Sequence, residues 1–258
     1  MNLVRIDPPG QWCTHRAVQD AIERCGGKTF LEVGCGAGRL SRILCEQGLT
    51  GRGIDLSAEA VAETRRELND FIARGRFDAG QGDLPVSASG AAYDVALSVM
   101  VMEHIEDDLG FVSRMAHEVK PGGHLIICVP GRPDLWGVED ETVGHVRRYD
   151  RKSLADVLTR AGLRDVHVWS VAVPTANLLF RLGNAMIRLA GETGKKALPA
   201  QRQTEESGIR RIPFKTVFPP VFKLLLNKYT MAPFYAVQRL FYGSDLGLTL
   251  LAFGEKRA

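Results

Sequence analysis

The stretch "LEVGCGAG", residues 31–38, decides how this chain is read. It closes the apolar run "KTFLEV" with three glycines spaced by single residues. Such a run is a buried strand, and the glycines mark a tight turn out of it. The segment that follows, "GRLSRILCEQG" (38–48), carries Leu40, Ile43 and Leu44 at helical spacing and stops at Gly48. Strand, glycine turn and helix in that order prepare a ligand site. Glycine lets the backbone come close to a ligand, and the first turn of a helix offers N–H groups without partners.

The same alternation continues outward from this unit. "GRGIDLS" (51–57) reads as a second strand, and Ser57 to Gly75 as a helix with Ser57 as N-cap and Gly75 as C-cap. "RFDAGQGD" (76–83) is a weak third strand, and "YDVALSVMVMEHI" (93–105) opens with a fourth. A helix over 107–123 stops at Pro121-Gly122-Gly123 before the buried strand "HLIICVP" (124–130). A helix over 151–162 and a strand over 163–171 follow, and "LGLTLLAFGEK" (246–256) reads as the last strand. This order predicts an α/β fold: a Rossmann-like, mostly parallel sheet of seven strands with helices on both faces. Ligands of such sheets bind beyond the carboxyl ends of the strands. The turns after residues 33, 56, 83, 99 and 130 are therefore the places to look.

Composition limits the possibilities. The chain has 258 residues, 45% apolar and 24% charged, as in a globular enzyme. Its five cysteines form no CxxC pair and no metal spacing, so reduced thiols and a cytoplasmic setting are expected. The N-terminus shows no apolar core of a signal peptide, and no run is long enough to span a membrane.

A dinucleotide site would need G-x-G-x-x-G/A, but counting from Gly34 the third position falls on Arg39. The pattern is instead E-x-G-x-G-x-G from Glu32. Asp55, at the end of the second strand, suits a ribose diol under either reading. Taken in order, "LEVGCGAG", "GIDLS", "GDLP", "YDVALSVMVMEHI" and "VKPGGHLIICVP" resemble the class I S-adenosylmethionine-dependent methyltransferases, over roughly residues 28–171. The nearest pattern is that of small-molecule enzymes like those of the ubiquinone pathway. The resemblance implies S-adenosyl-L-methionine as cofactor. Glu32 and the turn Gly34, Cys35, Gly36, Gly38 would face its methionine part, and Asp55 with Leu56 its ribose. Asp83 and the backbone of Leu84 would hold the adenine, and Ser98 would complete the set. Read by themselves, Cys35 is a small turn residue, Asp83 can be a plain turn residue, and Gly122-Gly123 is a helix stop.

The chemistry then needs an acceptor held in line with the S–CH3 bond, and a base is helpful but not obligatory. His104 and His145 lie on the ligand side and are the candidate bases. His104 reads equally well as a packed residue at a helix start. Ubiquinone-pathway relatives carry E-x-x-E-H, thought to serve a metal, where this chain has Met100-Val101-Met102-Glu103-His104. The first carboxylate is missing, so no metal is expected. Many relatives also show a pattern like "W…D…GH.RRY" after the fifth strand, matched here by Trp136, Asp140, Gly144, His145, Arg147, Arg148 and Tyr149. His145 is taken to face substrate. Tyr149 stands beside the two histidines as a third candidate, although "RYD" can equally cap and pack the helix at 151–162. "DPPG" at 7–10 is misplaced for an amino-directed methyltransferase motif.

Residues 173–245 fall between the last two strands and read as a helical insertion, with residues 1–172 and 246–258 as the core and 1–27 as an N-terminal helical lid. The insertion holds eleven Lys/Arg against four Asp/Glu, a local net charge of +7 that leaves −4 for the rest. Two helical blocks are expected, at about 175–190 and 217–242, joined by a polar loop over 191–208. Phe218, Val221, Phe222, Leu225 and Tyr229 would form the packed stripe of the second. Two roles fit the cap, closing over a hydrophobic small-molecule acceptor or resting on an anionic membrane at the inner surface, and no nucleic acid is expected. Methylation of RNA or protein, and non-catalytic binding of the cofactor, are the competing functions.

Overall fold

The computed structural model describes residues 4–86, 90–178 and 217–257. A strand β1 (Val4–Arg5) leads to helix α1 (Pro9–Cys25), and then the expected alternation begins. It runs β2 (Thr29–Val33), α2 (Arg39–Glu46), β3 (Thr50–Asp55), α3 (Ala58–Glu67), α4 (Asn69–Ala73), β4 (Phe77–Gln81) and β5 (Tyr93–Val99). A 3-10 turn (Met102–His104) precedes α5 (Asp108–Glu118) and β6 (Val119–Pro130), and a second (Pro133–Leu135) precedes the short α6 (Val138–Val143), α7 (Arg151–Arg160) and β7 (Leu163–Val171). After the undescribed part come β8 (Val217–Phe218), α8 (Phe222–Leu225), α9 (Lys228–Arg239) and β9 (Thr249–Lys256).

The main sheet has seven strands in the order β4-β3-β2-β5-β6-β9-β7. All neighbours are parallel except that β9 runs antiparallel between β6 and β7. The strand order reverses between β2 and β5, and the crevice at such a reversal is where these sheets bind ligands.

Period-two patterning divides the core cleanly. Leu31, Val33, Ala96, Leu125, Ile127, Val129, Leu250 and Ala252 face one side with Phe111, Met115, Leu154 and Leu158 of α5 and α7. Their neighbours Phe30, Val95, Leu97, Ile126, Cys128, Leu251 and Phe253 face the other, with Ala17, Val18 and Ile22 of α1 and Leu40 and Leu44 of α2. The central strands are apolar on both faces because both faces are covered. Each fully buried large side chain contributes about 1.5–3 kcal/mol of transfer free energy.

Three local expectations are corrected. The expected helix at 57–75 breaks at Leu68 into α3 and α4. Lys120 to Gly123 belong to the start of β6, so the helix before them ends at Glu118, earlier than Pro121-Gly122-Gly123 suggested. The block at 217–242 is not one helix: Val217–Phe218 pairs antiparallel with Val4–Arg5, and only 222–225 and 228–239 are helical. Of its expected stripe, Val221, Leu225 and Tyr229 are exposed among the described residues. The face of α9 that packs carries Met231, with Tyr235, against Cys13 and Trp12 of α1. From the first block only 175–178 are described, as helix; 179–190 and the loop at 191–208 lie outside the described residues.

A buried glutamine ties the late helix to the rest. Gln238 donates to the Cys13 carbonyl at 2.9 Å and accepts from the Ala172 N–H at 3.0 Å. Beside it, Asp20 receives Arg239 through two nitrogens at 2.6 and 2.8 Å, and the Tyr242 hydroxyl at 2.9 Å. Among the described residues, no helix is long and apolar enough to cross a membrane.

Candidate active site

The glycine turn hangs from the end of β3. The N–H groups of Gly34 and Cys35 both donate to the Ile54 carbonyl, at 2.8 and 3.0 Å. Gly34 and Gly38 have φ of +80° and +74°. A Cβ on Gly34 would lie 2.3 Å from Val101 Cγ2, and one on Gly38 would lie 2.7 Å from Leu68 Cδ1 and 3.1 Å from Thr64 Cα. Conformation and space therefore both demand glycine at the two ends of the turn. Asp55 braces it from β3. One carboxylate oxygen accepts from the Gly36 N–H and the other from the Ser57 N–H, each at 2.9 Å.

The other expected cofactor residues are placed unequally. Asp83 is exposed and accepts from the Leu84 N–H at 2.7 Å. Leu56 is half exposed at the end of β3. Glu32, by contrast, is buried and receives the Ser41 hydroxyl; burial pushes its carboxyl up to about 8. Ser98 is also buried, and its hydroxyl donates to the Val33 carbonyl at 2.9 Å, tying β5 to β2. Both side chains thus serve the scaffold beneath the turn. Burial pushes the Cys35 thiol up to about 12, which keeps it protonated and no nucleophile.

A second cluster lies next to the turn, where Val101 packs on Gly34. Two residues after Val101, the 3-10 turn presents Glu103 and His104. The loop after β6 brings His145 to them. Two bonds join loop and turn: the Val146 N–H donates to the Glu103 carbonyl at 2.8 Å, and His104 Nδ1 donates to the Gly144 carbonyl at 3.2 Å. The two imidazoles meet edge to face with centroids 4.8 Å apart. His145 Nδ1 is 2.8 Å from Asp140 Oδ1, and its Nε2 is 3.8 Å from Glu103 Oε1.

Asp140 organises this corner. It is fully buried, accepts from Arg148 Nε at 2.7 Å as well as from His145, and takes the Gly137 N–H at 2.9 Å. Burial raises its carboxyl, but these three donors outweigh it and hold it at about 2. A charged Asp140 fixes the His145 tautomer: Nδ1 carries the hydrogen and Nε2 the lone pair. Burial, then the nearby His145, lowers His104 to about 4. Glu103 is 1% exposed, and neither of its carboxylate oxygens has a hydrogen-bond partner among the described residues. Burial, reinforced by the Asp140 charge, pushes it up to about 8.

The rest of "GHVRRYD" supports the corner. Arg148 also donates to the Gly131 carbonyl at 3.0 Å. Arg147 pairs with Asp108 at 2.8 Å. Tyr149 is buried and its hydroxyl donates to Asp108 at 3.0 Å, so it packs the loop and its hydroxyl is already engaged. Asp150 caps α7. Glu103 and Asp140 stand in the sequence motifs beside the two histidines, but the sequence assigned neither a role.

The backbone is strained on this side of the sheet. Met100, just past β5, and Arg132, just past β6, have φ of +57° and +60°. Non-glycine residues held there cluster at functional sites. Met100, Trp136 and Val146, in the segments that follow β5 and β6, are partly exposed apolar side chains.

Comparison with known proteins identifies the family and the fold. A family model described as a methyltransferase domain matches residues 13–168. The ubiquinone biosynthesis O-methyltransferase of Serratia proteamaculans (strain 568) is 31% identical over 114 residues, covering 43% of this chain and 47% of that protein. The enzyme of the same name from Burkholderia ambifaria (strain MC40-6) is 33% identical over 113 residues, covering 44% and 49%. The chain thus spans about half the length of the curated relatives it matches. Haemonchus contortus phosphoethanolamine N-methyltransferase 2, solved in complex with S-adenosyl-L-methionine, superposes with a TM-score of 0.59 at 17% identity, covering 94% of this chain and 53% of that one.

Proposed function

The chain belongs to the methyltransferase-domain family, with the class I S-adenosylmethionine-dependent fold, and from that premise we propose that it methylates an oxygen or carbon of a small apolar acceptor. The cofactor supplies an electrophilic methyl on a sulfonium. The residues present fit it: a turn only glycine can form, the Asp55 carboxylate bracing that turn, and the exposed apolar Leu56 beside it.

The observation that carries the reading is the fixed lone pair of His145. Asp140 holds the Nδ1 hydrogen, so Nε2 is the atom able to take a proton from an acceptor hydroxyl or enol. S-adenosyl-L-methionine, when bound, would give its methyl to the acceptor oxygen or carbon and leave as S-adenosylhomocysteine, and the acceptor's proton would go to Nε2 of His145. The exposed apolar side chains Met100, Trp136 and Val146 in the segments after β5 and β6 favour an apolar acceptor.

The N-terminal segment and the described end of the 173–245 segment, residues 217–242, are treated in this reading as working together. The β1–β8 pairing, Gln238 and the Asp20–Arg239 pair join the two segments. Asp7, buried, meets Arg39 at 3.3 Å, directly beyond the glycine turn.

The test is turnover of S-adenosyl-L-methionine with a panel of phenols and enols, read by mass spectrometry of the acceptor. His145→Ala is expected to lose about 10²–10⁴-fold in turnover while S-adenosylhomocysteine binding stays. Unchanged turnover would remove the base, and absence of cofactor binding by the wild type would remove the whole reading.

A further inference from the structure

We infer that Glu103 is a second catalytic residue, whose carboxyl donates a hydrogen bond to the acceptor oxygen while Nε2 of His145 removes that oxygen's proton. The spacing suits one shared atom. Oε1 of Glu103 and Nε2 of His145 are 3.8 Å apart. One oxygen at an ordinary hydrogen-bond length of about 2.8 Å from each fits between them. Neither carboxyl oxygen of Glu103 has a hydrogen-bond partner among the described residues, although the side chain is buried. A buried polar group so placed calls for a partner. His145 keeps 11% of its side chain exposed, so an acceptor meets the pair there. Both members are held before an acceptor arrives. The Val146 N–H donates to the Glu103 carbonyl at 2.8 Å, and Asp140 holds Nδ1 of His145 at 2.8 Å.

A carboxyl donates only while it carries a proton, and the surroundings of Glu103 keep it neutral. Burial is the main cause and the Asp140 charge adds to it, while the Arg148 guanidinium opposes them and is outweighed. The other titratable groups around it add no charge. Burial keeps the Cys128 thiol and the Tyr149 hydroxyl protonated, and burial, then His145, keeps His104 neutral. A carboxylic acid held neutral in an apolar place is a strong donor to charge developing on a nearby oxygen.

This role rests on His145 as the base of the proposed function. The acceptor's proton goes to Nε2, and Glu103 keeps its own. The electron pair left on the acceptor is the one that bonds to the methyl, and the S–CH3 pair goes to sulfur. The hydrogen bond from Glu103 lowers the cost of the negative charge between those events.

The role has a pH signature. Glu103 is a donor below its value of about 8 and an acceptor-only carboxylate above it. Turnover of a phenol or enol by the wild type is therefore expected to fall as pH rises through about 8.

The experiment measures turnover against pH for the full chain, for Glu103→Gln and for Glu103→Leu. Glutamine keeps an N–H donor that does not titrate. Glu103→Gln is expected to retain more turnover than Glu103→Leu and to lose the alkaline fall. Glu103→Leu is expected to lose about 10²–10³-fold in kcat. S-adenosylhomocysteine binding reports that each variant is folded, and the Glu103→Gln profile decides alone if Glu103→Leu is not. Carboxyl 13C resonances of the glutamate-labelled chain give a readout without an acceptor. One that titrates near pH 8 should be absent from Glu103→Gln, while that of Glu32, also raised to about 8, stays in both. An active wild type with equal turnover in folded Glu103→Leu, or with the same alkaline fall in Glu103→Gln, overturns the donor and leaves His145 as the base. A Glu103 resonance that titrates in the ordinary carboxylate range overturns it as well. A wild type inactive on every phenol and enol removes the base and the donor together.

Discussion

Gly34 and His145 show what single residues carry here. Gly34 sits at φ +80° with Val101 Cγ2 2.3 Å from where its Cβ would be. Gly34→Ala therefore meets a left-handed backbone, worth about 1–2 kcal/mol, and a clash that moves Val101. The expected outcome is a melting temperature lower by several degrees and loss of most S-adenosylhomocysteine affinity, read by thermal denaturation and titration calorimetry. Wild-type affinity in the variant would show that the turn does not contact the cofactor. His145 works differently, since its lone pair is set by Asp140, five residues earlier. The motif around it mattered less than the partner that fixes its tautomer.

At the scale of elements, α9 is the piece most open to test. Gln238 is fully buried and bridges the Cys13 carbonyl and the Ala172 N–H. Gln238→Leu leaves both backbone groups without their partner, a cost of about 1–3 kcal/mol for each unsatisfied group. Hydrogen exchange over 228–239 is expected to accelerate, while the strands of the main sheet keep their protection. Uniform acceleration would mean that α9 is not a separable unit. The same helix should loosen in acid. Burial alone would raise the Asp20 carboxyl, but hydrogen bonds from Arg239 and Tyr242 and the Arg16 charge outweigh it and leave it below its ordinary value. Its stabilisation is thus complete above the unfolded value of about 3.9 and is lost as pH falls through the depressed folded value. Exchange of α9 between about pH 5 and pH 3 should rise more than exchange of β5 and β6, and equal rises would refute the local role of Asp20.

For the whole molecule, cofactor product links site to stability. S-adenosylhomocysteine at one hundred times its Kd should stabilise the native state by about 2.7 kcal/mol. At this chain length that is a rise of roughly 5–10 °C in melting temperature. A flat melting temperature at saturating ligand would mean that the crevice between β2 and β5 does not bind it.

The fold was legible because its signals are local. "KTFLEVGCGAG" contains a strand, a turn and a helix start within eleven residues, and period-two patterning assigns Leu31 and Phe30 to opposite faces. Local patterning misjudged Val221, Leu225 and Tyr229, whose helical spacing is real but whose face is exposed, because the packed face was chosen by Cys13 and Trp12 far away in the chain. It also missed β8, since a two-residue strand exists only through its partner at Val4–Arg5.

The sequence by itself determined the alternation, the glycine turn and Asp55, because steric and hydrogen-bonding demands of neighbouring residues decide them. Only the tertiary structure decided which polar groups meet. Glu32, two residues before the turn, and Ser98, on β5, hydrogen-bond inside the scaffold. Glu103, His104, Asp140 and His145 come from two separate loops and converge because β5 and β6 lie side by side. Burial then gives a carboxyl of ordinary acidity its raised value at Glu103, and three donors give Asp140 its lowered one, neither of which any residue letter contains.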